Sequence, residues 1–324
     1  MTGSLVISLD FELLWGVRDH ATRGSYGANI LGGRKAIPRM LDLFARHGIR
    51  ATWATVGFVF CESREELFDA LPPEELRPRY DNPALSNYRY LDEVGKDEAA
   101  DPWYFGKSLV RKIADTPGQE IGTHTLSHCY CLESGFTPEA FDADLSGAKK
   151  LASRQGIDLQ SVVFPRNQYA DAYLDVCRRQ GLKTFRGNPQ SWAYRPTGGS
   201  GQTRLRRALR LADAYSGVLG SHIARTSSEN GLTNVPASRF LRPCAGKLAP
   251  LHPLHIRTIC RGMTRAARSG SVYHLWWHPH NFGKSTEENI TALQQICMHF
   301  ERLRSDYNMC SLPINSFMEN ADDA

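Results

Sequence analysis

The chain has 324 residues, of which 41% are hydrophobic and 23% charged, a composition typical of a globular protein with a substantial core. Its formal net charge is +5, but the basic residues are not interleaved with aromatic residues as in nucleic-acid-binding modules, so no nucleic-acid partner is expected. No run approaches the roughly 20 apolar residues of a membrane-spanning helix. The amino terminus lacks the basic start and long apolar stretch of a secretory signal, and the cysteines form no CxxC pair, so the sequence predicts a cytoplasmic protein.

The amino-terminal part of the sequence alternates strand and helix patterns. Residues 5–10 form an apolar, β-prone run, residues 35–47 carry apolar side chains at helical spacing, and residues 50–57 are again β-rich. Residues 61–104 interrupt the alternation with several prolines among many charges, so we interpret them as an insertion over one end of the fold.

The alternation then resumes to the end of the chain. The predicted strands cover residues 120–124, 161–164, 183–185 and 271–277, and the predicted helices cover residues 141–155, 170–180 and 286–304. Repeated β/α units favour a parallel (β/α) barrel whose site lies at the carboxyl ends of the strands. An open, doubly wound sheet is the alternative.

Polar side chains follow several of the predicted strands directly. In a parallel barrel these strand ends meet at one rim, so residues distant in sequence are expected to share a pocket. The pairs at strand ends are Asp10 and Glu12, His124 and His128, Arg166 and Asn167, and His278 and His280.

The spacing of the two histidines in the second pair indicates a metal site. His124 and His128 are four residues apart, and both imidazoles can face one divalent ion if a turn begins between them. Asp10 and Glu12 point to the same side of an extended chain, so one carboxylate could bind the ion while the other accepts a proton from water. Capping of the following segment is the structural alternative for these carboxylates.

Four segments resemble the motifs of the polysaccharide deacetylases, the NodB-homology superfamily that includes carbohydrate esterase family 4. Ile-Ser-Leu-Asp-Phe-Glu at 7–12 is similar to the first motif, and Ala-Thr-Trp-Ala-Thr-Val-Gly at 51–57 to the following strand. Gly-Gln-Glu-Ile-Gly-Thr-His-Thr-Leu-Ser-His at 118–128 resembles the second motif, and Leu-Trp-Trp-His-Pro-His at 275–280 the final one.

The resemblance implies a distorted (β/α) barrel of the NodB-homology type with about seven strands, the insertion after the second strand, and a single catalytic domain over residues 1–324. It also implies a hydrolase that removes an N-acetyl, formyl or O-acetyl group from a sugar with the help of one divalent metal ion. Zinc is the metal that neutral imidazoles and a carboxylate favour.

Carried over to this sequence, the resemblance implies that Glu12, His124 and His128 bind the metal, that Asp10 is the general base and that His278 is the general acid. In the family the two carboxylates are usually adjacent, whereas Phe11 separates them here, so which of them binds the metal stays open. His280 is the alternative to His278 as the acid.

The remaining implied residues hold the base or the substrate. Arg166 would orient Asp10 and keep it ionised, because a neighbouring positive charge lowers the pKa of a carboxyl. Arg186, Trp192, Asn167 and His280 are the expected substrate-binding residues, and Trp276 is a further candidate face for a sugar ring.

The absent export signal favours a precursor of a cell-surface polysaccharide as substrate. Two basic segments, 204–210 and 257–268, could attract sugar phosphates or an anionic membrane surface, or could be solvated helix faces. Two other functions remain open: a metal-independent, allantoinase-like amidohydrolase acting on non-peptide C–N bonds, and a non-catalytic carbohydrate-binding barrel.

Overall fold

The computed structural model describes residues 2–318, which form a curled β-sheet covered by helices. The ten strands of the described chain are β1 (Ser4–Phe11), β2 (Ala51–Thr55), β3 (Gln119–Thr123), β4 (Ser161–Val162), β5 (Thr184–Phe185), β6 (Ser227–Glu229), β7 (Leu232–Asn234), β8 (Arg239–Phe240), β9 (Val272–Trp277) and β10 (Cys310–Ser311). Its α-helices are α1 (Arg23–His47), α2 (Arg64–Asp69), α3 (Lys107–Ala114), α4 (Pro138–Ser153), α5 (Asp171–Arg179), α6 (Arg204–Ser216), α7 (His252–Ser269) and α8 (Thr286–Tyr307). None of the helices within residues 2–318 combines the length and the apolar character needed to cross a membrane.

The sheet confirms the predicted barrel-like α/β fold. Its strand order is β6-β7-β5-β4-β3-β2-β1-β9-β8, with β10 beside β1, and the pairings are parallel except that of β6 with β7. Within the described residues the edge strands β6 and β8 do not pair with each other, so the sheet is a curled half-barrel. The strand count exceeds the predicted seven because strands of two or three residues are too short to show a periodic pattern.

Strand β1 is an interior strand of the sheet and is buried along its whole length. It pairs with β2 on one side, where Asp10 lies opposite Ala54, and with β9 on the other, where Leu9 lies opposite Trp277. A parallel strand covered on both faces needs a continuous apolar run, which Leu5 and its neighbours supply. This register brings the ends of β1 and β9 to the same edge of the sheet.

Helix α1 begins much earlier than predicted, at Arg23 instead of residue 35. The Thr22 hydroxyl accepts a hydrogen bond from the backbone N–H of Ser25, and the Ser25 hydroxyl accepts one from the N–H of Thr22, which caps the first turn. A Cβ on Gly33 would lie 2.6 Å from the Cα of His280. The glycine in α1 therefore allows the loop after β9 to pack directly against the helix.

The segment 61–104 contains α2 and several 3-10 turns and packs against the loop after β3. The side-chain amide of Asn87 donates hydrogen bonds of 2.9 Å to the carbonyl oxygens of Trp15 and Ser127. The hydroxyl of Tyr80 accepts one of 2.7 Å from the backbone N–H of Tyr130. These contacts brace the loop that carries His128.

Candidate active site and metal centre

The two carboxylates at the end of β1 are almost completely buried. Asp10 is the penultimate residue of the strand and Glu12 follows its last residue, with relative exposures of 3% and 2%. Buried carboxylates require charged or hydrogen-bonding partners, because ionised groups lose their hydration on burial. The partners of each carboxylate therefore indicate what this rim of the sheet can do.

His124 and His128 lie in a tight loop after β3. The carboxylate of Asp144, from α4, accepts hydrogen bonds from the backbone N–H groups of Leu126 at 2.6 Å and Ser127 at 3.1 Å. His128 has a φ of 58°, a left-handed conformation that turns the chain back towards β1. This loop geometry aims both imidazoles at Glu12.

The three side chains come together as the metal-ligand spacing predicts. Nε2 of His128 lies 2.8 Å and Nε2 of His124 lies 3.4 Å from Oε2 of Glu12. One ligand atom from each of the three residues lies within 4.8 Å of the others. Among the described residues, this buried Oε2 atom has no hydrogen-bond donor of suitable geometry. Three converging lone-pair atoms fit a shared cation.

The protonation states also fit a divalent ion. Nδ1 of His124 lies 2.6 Å from the carbonyl oxygen of Val163, which only accepts hydrogen bonds, so Nδ1 carries a proton and Nε2 is the nitrogen that faces Glu12. Burial lowers the pKa of His128 and so favours the neutral imidazole. Burial would raise the pKa of Glu12, but His278 and His128 outweigh it, and the pKa lies well below its ordinary value.

Asp10 is held by an arginine other than the predicted one. Nη1 of Arg186 donates to Oδ1 of Asp10 at 2.6 Å and Nη2 donates to Oδ2 at 2.8 Å, with the guanidinium itself buried. The Asn167 side-chain oxygen accepts from Nη2 of Arg186 at 2.9 Å. Burial would raise the pKa of Asp10, but Arg186, His124 and His278 outweigh it, so the pKa is lowered and the carboxylate is ionised at neutral pH.

The expected pairing of Arg166 with Asp10 is wrong. Arg166 forms an ion pair with Asp19 and lies 4.0 Å from Glu133. Both Arg166 and Asn167 have positive φ values, 55° and 53°, so the chain after β4 turns sharply and carries Arg166 away from β1. Arg186 could be recognised in the sequence by the same rule as the other site residues, since it directly follows strand β5.

His278 and His280 both approach the carboxylates from the end of β9. Nε2 of His278 lies 3.5 Å from Oε1 of Glu12 and 3.7 Å from Oδ2 of Asp10, while Nε2 of His280 lies 3.9 Å from the same Glu12 oxygen. The His278 side chain is 25% exposed, whereas that of His280 is buried. Burial chiefly lowers the pKa of His280 to about 3. His278 is thus the histidine that can meet a substrate.

The other predicted substrate-binding residues lie around this centre at different depths. The guanidinium carbon of Arg186 lies over the ring of Trp276, 4.3 Å from the ring centroid. Trp276 and Asn167 both line an open cavity. Trp192 lies on a 3-10 turn outside the described lining of that cavity, with 48% of its surface exposed. Arg186, expected to bind substrate, instead binds Asp10.

Comparisons with known proteins bear on the family and the fold. The polysaccharide deacetylase family model matches residues 27–185, which include most of α1 and the histidine pair after β3. This match confirms the resemblance to the polysaccharide deacetylases that the sequence motifs predict. No curated protein matches the chain by sequence.

Several solved structures share the fold. A Mycobacterium smegmatis protein assigned to the polysaccharide deacetylases has 11% identity and a TM-score of 0.59, over 98% of this chain and 89% of that one. A GH57-type branching enzyme from Pyrococcus horikoshii has 14% identity and a TM-score of 0.55, over 98% and 70%. An alpha-amylase from Thermotoga maritima has 12% identity and a TM-score of 0.53, over 99% and 76%. At these identities the likeness shows the fold alone, so the activity must be argued from the site.

Proposed function

We propose that this protein is a metal-dependent hydrolase that removes an N-acetyl group, or a formyl or O-acetyl group, from a sugar precursor of a cell-surface polysaccharide. The observation that carries the proposal is the cluster of Glu12, His124 and His128, whose ligand atoms lie within 4.8 Å of one another. Two imidazoles and an ionised carboxylate suit zinc and leave room for further ligands. A divalent ion held there would polarise the acyl carbonyl and acidify the attacking water.

The residues beside the cluster could carry the proton transfers. Asp10 is ionised and buried next to Glu12, and it is the group we assign as the base that takes a proton from water. His278 lies 3.7 Å from Asp10 at the open side of the site, and we assign it the donation of a proton to the leaving amine. Arg186 fixes the orientation of Asp10 through two hydrogen bonds and keeps it ionised.

We also propose that residues 1–324 act as one catalytic unit in the cytoplasm. The candidate ligands, base and acid come from β1, β3 and β9 of one sheet, and the segment 61–104 braces one of their loops. The cysteines at all eight positions are free thiols, which suits a reducing compartment.

The decisive test is the metal content of the purified protein, measured beside acetate release from N-acetylated sugars. We expect about one divalent transition metal per chain and acetate release that is lost on chelation. The double substitution His124→Ala/His128→Ala is expected to abolish both. His20→Ala, which removes an exposed histidine outside the cluster, is the control and should leave both unchanged.

Two outcomes would contradict the proposal. A metal-free protein that turns over small amides after chelation would favour an allantoinase-like amidohydrolase. Saccharide binding without turnover, unaffected by Asp10→Ala, would favour a non-catalytic carbohydrate-binding barrel.

A further inference from the structure

A cavity of about 300 Å³ opens beside the proposed catalytic centre. It lies between the turn after β4, the segment leading into α6, and strand β8. Its wall includes polar and basic side chains, small apolar residues, and the aromatic rings of Tyr194, Phe240 and Trp276. The volume is at the lower end of the range typical of small-molecule sites.

The cavity shares a wall with the catalytic centre. The rings of Phe240 and Trp276 lie 5.6 Å and 5.7 Å from the ring of His278, measured between centroids. Asn167, also in the lining, accepts hydrogen bonds from Arg186, which in turn holds Asp10. A group bound in the cavity could therefore belong to the same substrate molecule as a sugar whose acyl group reaches His278.

The charge of the cavity is one-sided. Its described lining contains no aspartate or glutamate and includes five arginines: Arg166, Arg195, Arg210, Arg239 and Arg242. Two of these charges are already balanced by carboxylates outside the lining, since Arg166 pairs with Asp19 and Arg239 pairs with Asp213.

The other three arginines, Arg195, Arg210 and Arg242, form no ion pair with a carboxylate anywhere in residues 2–318. Arg210 is partly buried, and one of its terminal nitrogens donates to the side-chain oxygen of Gln202 at 2.5 Å. Desolvation and the neighbouring Arg206 lower its pKa. An anion in the cavity would relieve both effects.

We propose that this cavity binds the phosphate or diphosphate ester of the substrate, so that the enzyme acts on a phosphate-linked acylamino sugar in preference to a neutral oligosaccharide. This deepens the proposed function and rests on it for the reaction. Guanidinium groups bind phosphate oxygens through paired hydrogen bonds, and three uncompensated arginines match a multiply charged group better than a single carboxylate. The sugar would then lie against Trp276 and Phe240, next to His278.

The binding test compares charged and neutral ligands of the same sugar. Uridine diphosphate N-acetylglucosamine, polyprenyl diphosphate N-acetylglucosamine in detergent, and neutral tetra-N-acetylchitotetraose serve as probes in calorimetric titrations. We expect Arg210→Gln and Arg195→Gln each to raise the Kd of at least one diphosphate ligand about 10-fold or more, because each removes a charge-assisted hydrogen bond. The Kd of the neutral oligosaccharide should not change.

Arg207→Gln is the matched control, since Arg207 lies on α6 beside Arg210, is exposed and does not line the cavity. It should leave every Kd unchanged. Thermal melting of each variant separates a local loss of binding from unfolding, and Arg195→Gln, at an exposed position, provides a second variant should Arg210→Gln not fold.

Repeating the titrations with the His124→Ala/His128→Ala variant separates this inference from the proposed function. Diphosphate binding that persists there and depends on Arg210 supports the cavity even if no deacetylation is found. Preference for the nucleotide or for the lipid ligand identifies the carrier, and either supports the proposal. Equal affinity for neutral and charged ligands, or diphosphate binding that is unchanged in Arg210→Gln and Arg195→Gln, would overturn it.

Discussion

Arg186 and Asp10 form a buried, bidentate ion pair between the ends of β5 and β1, with nitrogen–oxygen distances of 2.6 Å and 2.8 Å. The pair joins residues 176 positions apart in the chain. It fixes the orientation of the Asp10 carboxylate and supplies the positive charge that compensates its burial.

Arg186→Gln should therefore be more damaging than Arg166→Gln. Removing Arg186 leaves a buried carboxylate uncompensated, so we expect a loss of about 3–5 kcal/mol in the free energy of unfolding. We also expect the pKa of Asp10 to rise, which moves the acidic limb of the kcat/KM–pH profile to higher pH. Arg166→Gln, at a partly exposed ion pair, should change both much less. Equal effects of the two substitutions in urea unfolding and in the pH profile would contradict the assignment.

Substitutions at His278 and His280 should separate the acid from its neighbour. His278 is partly exposed beside both carboxylates, so His278→Gln should lower kcat by about 10²–10⁴-fold with unchanged metal content. His280 is buried with its pKa lowered to about 3, so it cannot supply a proton near neutral pH. His280→Gln should mainly lower the thermal stability, with a smaller loss of kcat than His278→Gln. A larger loss of kcat in folded His280→Gln would reverse the two roles.

Gly33→Ala should disturb the site from a distance. The added Cβ would lie 2.6 Å from the Cα of His280 and 3.1 Å from the carbonyl oxygen of Pro279, so the loop after β9 must move. We expect a loss of about 1–3 kcal/mol in the free energy of unfolding, together with a lower kcat. Gly24→Ala is the control in the same helix, because its Cβ would meet only the Thr22 hydroxyl at 3.8 Å. Its stability should be unchanged or raised by up to about 1 kcal/mol.

His255 should make stability depend on pH. Its Nδ1 donates to the carbonyl of Ala214 at 2.6 Å and its Nε2 accepts from the N–H of Arg242 at 3.0 Å, an arrangement that requires the neutral imidazole. Burial first of all lowers the pKa from 6.5 to about 4. The contribution to stability is thus complete above pH 6.5 and is lost progressively as the pH falls towards 4.

The measurement for His255 is urea unfolding of the wild-type protein and of His255→Asn between pH 7 and pH 4.5. The stability difference between them should shrink by up to about 3 kcal/mol over this range. Parallel stability curves across the whole range would show that His255 is not the titrating group.

The sequence by itself determined the resemblance to the polysaccharide deacetylases, the alternation of strands and helices, and the set of polar residues at strand ends. A buried parallel strand must read as a largely apolar run, so the ends of β1 and β9 can be recognised from the sequence. The spacing of His124 and His128 similarly predicts a metal site with one of the two carboxylates after β1. The family resemblance implies that this carboxylate is Glu12, and the structure brings ligand atoms of the three residues together.

Only the tertiary structure decided which arginine holds Asp10 and where helix α1 begins. Arg166 and Arg186 both follow strands. The left-handed turn at 166–167, which carries Arg166 to Asp19 and leaves Asp10 to Arg186, is not visible in the sequence. Helix α1 carries glycines that local propensity disfavours, yet the close approach of the His280 loop requires Gly33. The cavity arginines come from four separate segments of the chain. They form one positively charged surface only when the curled sheet brings those segments together.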